Sequence, residues 1–273
     1  MIKAVFFDID GTLREFEESG IPAYTRTALK LAADAGLRLC IATGRHWLEI
    51  EEEGLLADLV FDAYVTLNGQ LCYEREGGHA PGRAVYRNPI PQDQVERLFQ
   101  LLKEEPFPCL FMEEDKMYMN YIDRRVEEVQ QGIGTALPPV EDIRRALKYP
   151  VYQIVPYAGA AGIERIVRGL PGCSHAVWHD GGAIDLLPAE GGKCRGIQQV
   201  IQRWGLAPEE IAAVGDGAND VSMLRFAGVG IAMGNGCAAA REAADYVTGH
   251  IREGGLVEAM EYLLRRNEGE GCE

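Results

Sequence analysis

The sequence AVFFDIDGT, residues 4–12, decides the fold, because it joins an unbroken apolar run to a pair of aspartates. The apolar run has no polar face and therefore predicts a strand that is buried on both sides in a parallel sheet. Asp8 and Asp10 follow at its carboxyl end, where two buried carboxylates need a neutralising partner. Gly11 then allows a sharp backbone turn. The stretch predicts either a metal-assisted site, with Asp8 as nucleophile and Asp10 as acid/base, or an acidic turn that merely closes a strand.

Length, charge and cysteine usage limit the classes of function. The 273 residues predict about two domains. A net charge of −15 makes nucleic acid an unexpected partner, and an anionic substrate would need a metal ion or a local positive charge. The seven cysteines never form a CxxC pair, which argues against disulfides or zinc and favours the reducing cytoplasm. No apolar run reaches the roughly 18–20 residues of a membrane span, and we expect no membrane partner and no signal peptide.

Apolar strands alternate with helices at both ends of the chain. After residues 4–7, strands are predicted at 37–42, 63–67, 211–216 and 229–233, and helices between them at 21–36, 47–56, 193–204 and 221–227. This alternation is typical of an α/β fold with a doubly wound, Rossmann-like parallel sheet. Ligands of such sheets bind beyond the carboxyl ends of the strands. Asp8, Thr43 and Asn68 each follow a predicted strand.

Two glycine- and proline-rich stretches, at 76–82 and 188–192, mark predicted domain boundaries. We therefore predict a core formed by residues 1–81 and 188–273, interrupted by an insert of residues 82–187. The insert mixes hairpins with helices, which favours a separate α/β layer with a mostly antiparallel sheet. A strand at 84–87 is assigned to the insert.

Side chains suited to phosphate chemistry recur at strand ends and helix starts of the predicted core. They are Asp8, Asp10, Thr43, Gly44, Lys193, Asp216, Asn219 and Asp220. Phosphoryl transfer needs an oxygen nucleophile, a cation and donors around the phosphoryl oxygens, and this set supplies them. Taken singly, Thr43 has an ordinary interpretation as a helix N-cap, and Lys193 as a solvated lysine. Only their joint placement favours a catalytic site.

Several segments resemble the motifs of the haloacid dehalogenase-like superfamily: DIDGT at 8–12, ATGR at 42–45, Lys193 before a helix, and GDGANDVSML at 215–224. TLNG at 66–69 and IDLLPAEGGKCRG at 184–196 resemble its Cof-like branch of sugar-phosphate phosphatases. The resemblance implies a Rossmann-like core with an inserted, mobile α/β cap that sets substrate specificity. It also implies a Mg²⁺-dependent phosphatase that hydrolyses small phosphorylated metabolites, either sugar phosphates or phosphorylated cofactors, through an aspartyl phosphate.

The resemblance further implies a role for each matching residue. Asp8 would attack phosphorus, and Asp10 would protonate the leaving alcohol and then activate water. Thr43, Lys193 and Asn219 would hold the phosphoryl oxygens. Apart from the resemblance, Gly44 offers a close backbone N–H, and Arg45 and Asn68 are candidates for substrate contact. Mg²⁺ would be bound by Asp8, the backbone carbonyl of Asp10, and Asp216. Asp220 would orient Lys193 or a water on the metal.

The sequence is also compatible with two other functions. A phosphomutase would pass the aspartyl phosphate to a sugar rather than to water. A signalling receiver also uses a strand-end aspartate with a threonine and a lysine, but the insert and the second aspartate argue against it. The sequence does not identify the substrate. We expect either a monomer or a homodimer.

Overall fold

The computed structural model describes residues 1–15, 20–56, 59–77, 81–178 and 181–269. The chain folds into two units, each with its own sheet. Unit 1 comprises Met1–Tyr86 and Gly192–Glu273, and unit 2 comprises Arg87–Gly191. The division falls four to five residues after the limits expected from the glycine- and proline-rich stretches. None of the helices in the described ranges is long and apolar enough to cross a membrane.

The elements follow one another in a mixed order along the chain. The strands are β1 Ala4–Phe7, β2 Arg38–Ala42, β3 Ala63–Thr66, β4 Leu71–Glu74, β5 Ala84–Arg87, β6 Cys109–Met112, β7 Met117–Met119, β8 Gln153–Pro156, β9 Cys173–Val177, β10 Ile184–Pro188, β11 Ile211–Gly215, β12 Val229–Ala232 and β13 Tyr246–Val247. The helices are α1 Ala23–Asp34, α2 Trp47–Glu52, α3 Gln92–Glu104, α4 Arg124–Ile133, α5 Ala160–Gly169, α6 Lys193–Arg203, α7 Val221–Phe226, α8 Ala238–Ala243 and α9 Gly255–Glu268.

The sheet of unit 1 has eight strands in the order β13-β12-β11-β1-β2-β3-β4-β5. Neighbours from β13 to β3 are parallel, as predicted, whereas β3 and β4 are antiparallel. The chain starts in the middle at β1, adds β2 and β3 on one side, and later adds β11 and β12 on the other. The strand order therefore reverses between β1 and β11, where the carboxyl ends of parallel strands open a crevice for ligands.

Strand β1 lies in the centre of the unit 1 core. All four of its residues are fully buried, as the apolar run predicts. Phe6 packs with Ile197 of α6 and Leu224 of α7 in one apolar cluster. Because burying a phenylalanine side chain contributes about 1.5–3 kcal/mol, this packing fixes the strand firmly. The residue that follows, Asp8, therefore starts from a rigid position.

Two strands differ from the sequence analysis. The strand at Ala84–Arg87, which we expected in the insert, is the edge strand β5 of the unit 1 sheet. Strand β4 was not predicted, although the turn before it contains Asn68-Gly69, a dipeptide that often connects hairpin strands. Sheet pairing depends on where the chain returns in space, and a short strand pattern does not reveal that.

Unit 2 is built on a five-stranded sheet in the order β7-β6-β8-β10-β9. All of its described pairings are antiparallel, in agreement with the prediction. Its apolar core includes Leu98 of α3, Phe111 of β6 and Ile166 of α5. The sequence predicts a hairpin of residues 174–179 and 183–187 with its turn at Gly181-Gly182, and β9 and β10 correspond to it. His179, expected as the last residue of the first of these strands, lies outside the described residues.

Candidate active site

A buried lysine joins two aspartates at the carboxyl edge of the unit 1 sheet. Lys193 is fully buried, and its Nζ donates to Asp8 Oδ1 at 2.6 Å and to Asp220 Oδ1 at 2.5 Å. Asp8 follows β1, and Asp220 lies in the short 3₁₀ turn between β11 and α7. Residues from three distant parts of the sequence therefore meet at one point, as the sequence analysis predicts for the carboxyl ends of neighbouring strands.

Close glycine contacts bring Lys193 to this point. Helix α6 begins at Lys193 and lies directly on the turn Leu67–Gly69. A Cβ on Gly69 would stand 2.3 Å from the carbonyl oxygen of Gly192, and a Cβ on Gly196 would stand 2.8 Å from Gly69 Cα. Both distances are shorter than any side chain allows. The glycines therefore let the first turn of α6 approach the site closely enough for Lys193 to reach Asp8.

Asp216 follows β11 and faces the loop after β1. Thr12 Oγ1 donates to Asp216 Oδ1 at 3.3 Å. Asn235 Nδ2 donates to the Gly11 carbonyl oxygen at 2.7 Å, and the Cys237 amide donates to the Asp216 carbonyl oxygen at 2.8 Å. These contacts connect the loops after β1, β11 and β12, so the position of the Asp216 carboxylate is set by all three.

Gly11 is required by two independent constraints. Its φ of +87° lies in the left-handed region, and an added Cβ would stand 2.2 Å from Asp216 Oδ2. We expect Gly11→Ala to lower the free energy of unfolding by at least about 2 kcal/mol more than Gly36→Ala does. This difference is the usual cost of adding an atom to a site that is already filled. Gly36 has a φ of +80° with open space around it, so it reports the backbone penalty alone. Urea denaturation of both variants measures the difference, and equal losses would contradict the predicted clash.

Three carboxylates are placed to hold a cation. Asp8, Asp216 and Asp220 can each bring one oxygen within 4.8 Å of the others. Both oxygens of Asp220 already accept hydrogen bonds, Oδ1 from Lys193 and Oδ2 from the amides of Asp216 at 2.9 Å and Gly217 at 2.8 Å. Asp8 and Asp216 are therefore better suited as direct ligands. An all-oxygen donor set of this kind fits a hard cation such as Mg²⁺.

The carboxylates raise one another's proton affinity. Burial raises the pKa of Asp8 well above its usual value, against the attraction of Lys193, and the nearby aspartates add to this effect. Burial, followed by repulsion from Asp220, raises the pKa of Asp216 to about 7. Burial would lower the pKa of Lys193, but Asp220 and Asp8 more than reverse this, so the lysine stays charged. Three carboxyl groups share one lysine, and the repulsion between their ionised forms favours binding of a cation.

Asp10 is held in a different environment from Asp8. Arg45 donates from Nε to Asp10 Oδ2 at 2.6 Å and from Nη2 to Oδ1 at 3.1 Å, and Arg14 Nε donates to Oδ1 at 3.0 Å. Burial would raise the pKa of Asp10, but the charges and hydrogen bonds of Arg45, then of Arg14, lower it overall. The pKa of Asp8 is therefore raised and that of Asp10 is lowered, although a single residue separates them in the sequence.

The predicted phosphate-binding groups gather around the ends of β2 and β3. Thr43 Oγ1 accepts from the Arg45 amide at 3.1 Å, which leaves the hydroxyl hydrogen available for donation. Asn219 Nδ2 donates to Asn68 Oδ1 at 3.0 Å. Asn68 has a φ of +52°, and a Cβ on Gly44 would stand 3.2 Å from its Nδ2. Thr43, Gly44, Asn68 and Asn219 are thus brought together, while Arg45 pairs with Asp10.

Several residues that organise the site were missed by the sequence analysis. They are Thr12, Arg14, Glu53 and Asn235. Arg14 follows Asp10 by four residues in a loop that showed only polar character, and Asn235 lies more than 200 residues from the glycine it contacts. Of these four residues, only Thr12 could have been selected from the sequence, because it lies inside the motif DIDGT at 8–12. The direct substrate roles of Arg45 and Asn68 stay predictions.

The family assignment follows from comparison with known proteins. The family model described as haloacid dehalogenase-like hydrolase matches residues 5–260, nearly the whole chain. The chain belongs to the haloacid dehalogenase-like hydrolases. The resemblance in the sequence motifs is thereby confirmed, and so is the expectation of an enzyme. The Rossmann-like core with an insert is likewise the fold of similar solved structures.

Relatives in this family include named phosphatases. YkrA of Bacillus subtilis, which carries a phosphatase name, is 31% identical over 96% of this chain and 97% of its own length. The 5-amino-6-(5-phospho-D-ribitylamino)uracil phosphatase YitU of Bacillus subtilis is 27% identical over 92% and 94%. The solved structure of the subclass IIB sugar phosphatase BT4131 is 32% identical, covers 96% of this chain and 98% of that chain, and has a TM-score of 0.82. These similarities are consistent with a phosphoric monoester hydrolase.

Proposed function

We propose that this chain is a Mg²⁺-dependent phosphatase that hydrolyses small phosphorylated metabolites through an aspartyl phosphate on Asp8. The main support for the proposal is the contact of the buried Lys193 with Asp8. One carboxylate oxygen of each of Asp8, Asp216 and Asp220 also lies within 4.8 Å of the others, so that one cation could bind them. This arrangement offers a nucleophilic oxygen with positive charge beside it. Bound Mg²⁺ would neutralise charge on the carboxylates and on the phosphoryl group.

The proposed reaction has two steps that use the same two aspartates. An oxygen of Asp8 forms a bond to phosphorus while the bond to the leaving oxygen breaks, and Asp10 gives that oxygen a proton. Asp10 then takes a proton from water, the water oxygen attacks phosphorus, and the bond to Asp8 breaks to release inorganic phosphate. Lys193, Thr43 and Asn219 donate to the phosphoryl oxygens, where negative charge gathers during transfer.

The substrate class is proposed from the relatives together with the two-unit organisation. BT4131 is named as a sugar phosphatase and YitU as a phosphatase of a phosphorylated ribitylaminouracil. We propose sugar phosphates or phosphorylated cofactors as substrates, with unit 2 acting as a cap that sets specificity. The site residues assigned above lie in unit 1, which leaves unit 2 for recognition of the leaving group. A cytoplasmic location, no nucleic-acid or membrane partner, and a monomer or homodimer belong to the same proposal.

The proposed function is tested by phosphate release from a panel of phosphorylated metabolites. We expect release of inorganic phosphate with Mg²⁺, loss of activity in excess chelator, and recovery when Mg²⁺ is restored. Metal dependence follows because the clustered carboxylates repel a phosphate dianion unless a cation is present. Full activity in excess chelator would contradict the metal role. Sugar-phosphate isomerisation without phosphate release would indicate a phosphomutase, and a long-lived phosphoprotein without turnover would indicate a receiver.

A further inference from the structure

Asp10, Glu53, Arg14 and Arg45 form a compact group of charges in unit 1. Arg45 places Nε and Nη2 on Asp10 and its remaining nitrogen, Nη1, 3.0 Å from Glu53 Oε1. Arg14 Nη2 lies 2.9 Å from Asp10 Oδ1 and 3.9 Å from Glu53 Oε2. The side chains of Arg45 and Arg14 are only 9% and 4% exposed, so solvent screens their contacts with Asp10 weakly, whereas the contact with Glu53 is exposed to solvent. The buried carboxyl of Glu49 also interacts electrostatically with Arg45, so the two arginines lie among three carboxyl groups.

Glu53 occupies a position that helix electrostatics disfavour. It is the C-cap residue of α2 and follows Glu51 and Glu52, in a helix without a basic residue in its last turn. Carboxylates are destabilising near a helix C-terminus, because the backbone carbonyls there carry partial negative charge. Glu51, Glu52 and Glu53 are all exposed residues, but the side chain of Glu53 is only 23% exposed because it is turned onto the arginines. A departure from local preference that is matched by a specific contact is a common mark of a functional position.

We propose that Glu53 is a positioning residue that holds the Arg45 guanidinium in place and thereby fixes the Asp10 carboxylate for its acid/base work. The inference rests on the proposed function and deepens it. Arg45 binds Asp10 through two nitrogens, a bidentate contact that already favours one geometry. The contact of its third nitrogen with Glu53 further restricts the orientation of the guanidinium. Glu53 supplies that third contact from the other side of the guanidinium.

The backbone of Arg45, unlike its side chain, contacts groups other than Asp10 and Glu53. The Arg45 amide donates to Thr43 Oγ1, and the Arg45 carbonyl oxygen accepts from the Leu67 amide at 3.1 Å. These backbone contacts do not depend on Glu53. Removing the Glu53 charge is therefore expected to disturb Asp10 while the phosphate-binding hydroxyl of Thr43 stays in place.

The test compares Glu53→Gln with Glu52→Gln in the full-length protein with Mg²⁺. Both changes remove one negative charge from the end of α2, and of these two glutamates the structure describes an ion pair only for Glu53. We expect Glu53→Gln to lower kcat about tenfold or more with KM nearly unchanged, since small misplacement of a catalytic group is costly. On kcat/KM, the loss should be larger for an alkyl phosphate than for 4-nitrophenyl phosphate, whose leaving group needs no proton. Glu52→Gln should behave as the unchanged protein.

The outcomes separate this inference from the proposed function. If the unchanged protein releases no phosphate, the proposed function fails. If it is active and Glu53→Gln matches Glu52→Gln, the positioning role is wrong. A rise in KM with unchanged kcat would also overturn it and would assign Arg45 to substrate contact instead. Thermal melting of both variants accompanies the kinetics, and Glu53→Asp, which keeps the charge, should recover part of the lost kcat.

Discussion

Asp8→Asn is expected to reduce phosphate release at least about 10⁴-fold, the scale seen when an enzyme loses its nucleophile. An amide does not form the proposed acyl phosphate, although it keeps the shape of the side chain. The fold should not suffer, because burial and the surrounding aspartates oppose the charge of Asp8, and Lys193 keeps its ion pair with Asp220. The melting temperature should therefore stay equal or rise. Initial rates with the best substrate of the panel, together with thermal melting, measure both effects.

Asp115→Asn is the matched control for this substitution, because Asp115 is exposed in the turn between β6 and β7 of unit 2. It should retain the activity of the unchanged protein. Steady turnover by Asp8→Asn within about 100-fold of the unchanged protein would remove Asp8 from the nucleophilic role. A single burst of product without turnover would also count against it, since it would show that phosphoryl transfer proceeds without the carboxylate.

The parts of the site that the sequence predicts are those with a local cause. Asp8 is predictable because a strand buried on both faces reads as an unbroken apolar run that ends in a polar residue. Lys193 and Asp216 are predictable because each stands at the start or end of an element of the same alternating pattern. Parallel strands bring their carboxyl ends to one edge, so Asp8 and Asp216 meet there, and the close packing of α6 on the turn Leu67–Gly69 adds Lys193.

The parts that the sequence does not predict depend on the path of loops. Glu53 contacts Arg45 because α2 is short and the residue after it turns back, and nothing in a run of three glutamates tells which one does so. Asn235 contacts Gly11 across two loops that share no pattern. Strand β5 was assigned to the insert because it follows the glycine- and proline-rich stretch at 76–82, and its sequence does not show which sheet it joins. Such contacts are decided by tertiary packing, which composition and periodicity do not record.

Lys193→Met is expected to be the most destabilising single change in the site. The lysine is fully buried, and its charge compensates those of Asp8 and Asp220, whose Oδ1 atoms lie 2.6 and 2.5 Å from its Nζ. Removing one partner of a buried ion pair typically costs about 3–5 kcal/mol, because the remaining charges stay buried without compensation. Methionine fills a similar volume, so the loss comes from charge rather than from a cavity. We expect the melting temperature to fall by roughly 6–20 °C, taking about 2–4 °C for each kcal/mol, and phosphate release to be lost.

The double variant Lys193→Met with Asp220→Asn separates the two consequences of removing the lysine. Neutralising Asp220 removes one of the uncompensated charges, while an asparagine oxygen can still accept from the amides of Asp216 and Gly217. Part of the lost stability should therefore return, and a double-mutant cycle gives the coupling between the two residues. Activity should stay lost, because the double variant lacks the lysine charge beside Asp8 and the phosphoryl oxygens. If the double variant were no more stable than Lys193→Met alone, the destabilisation would come from lost packing, and the electrostatic account of the Lys193 contact would be wrong.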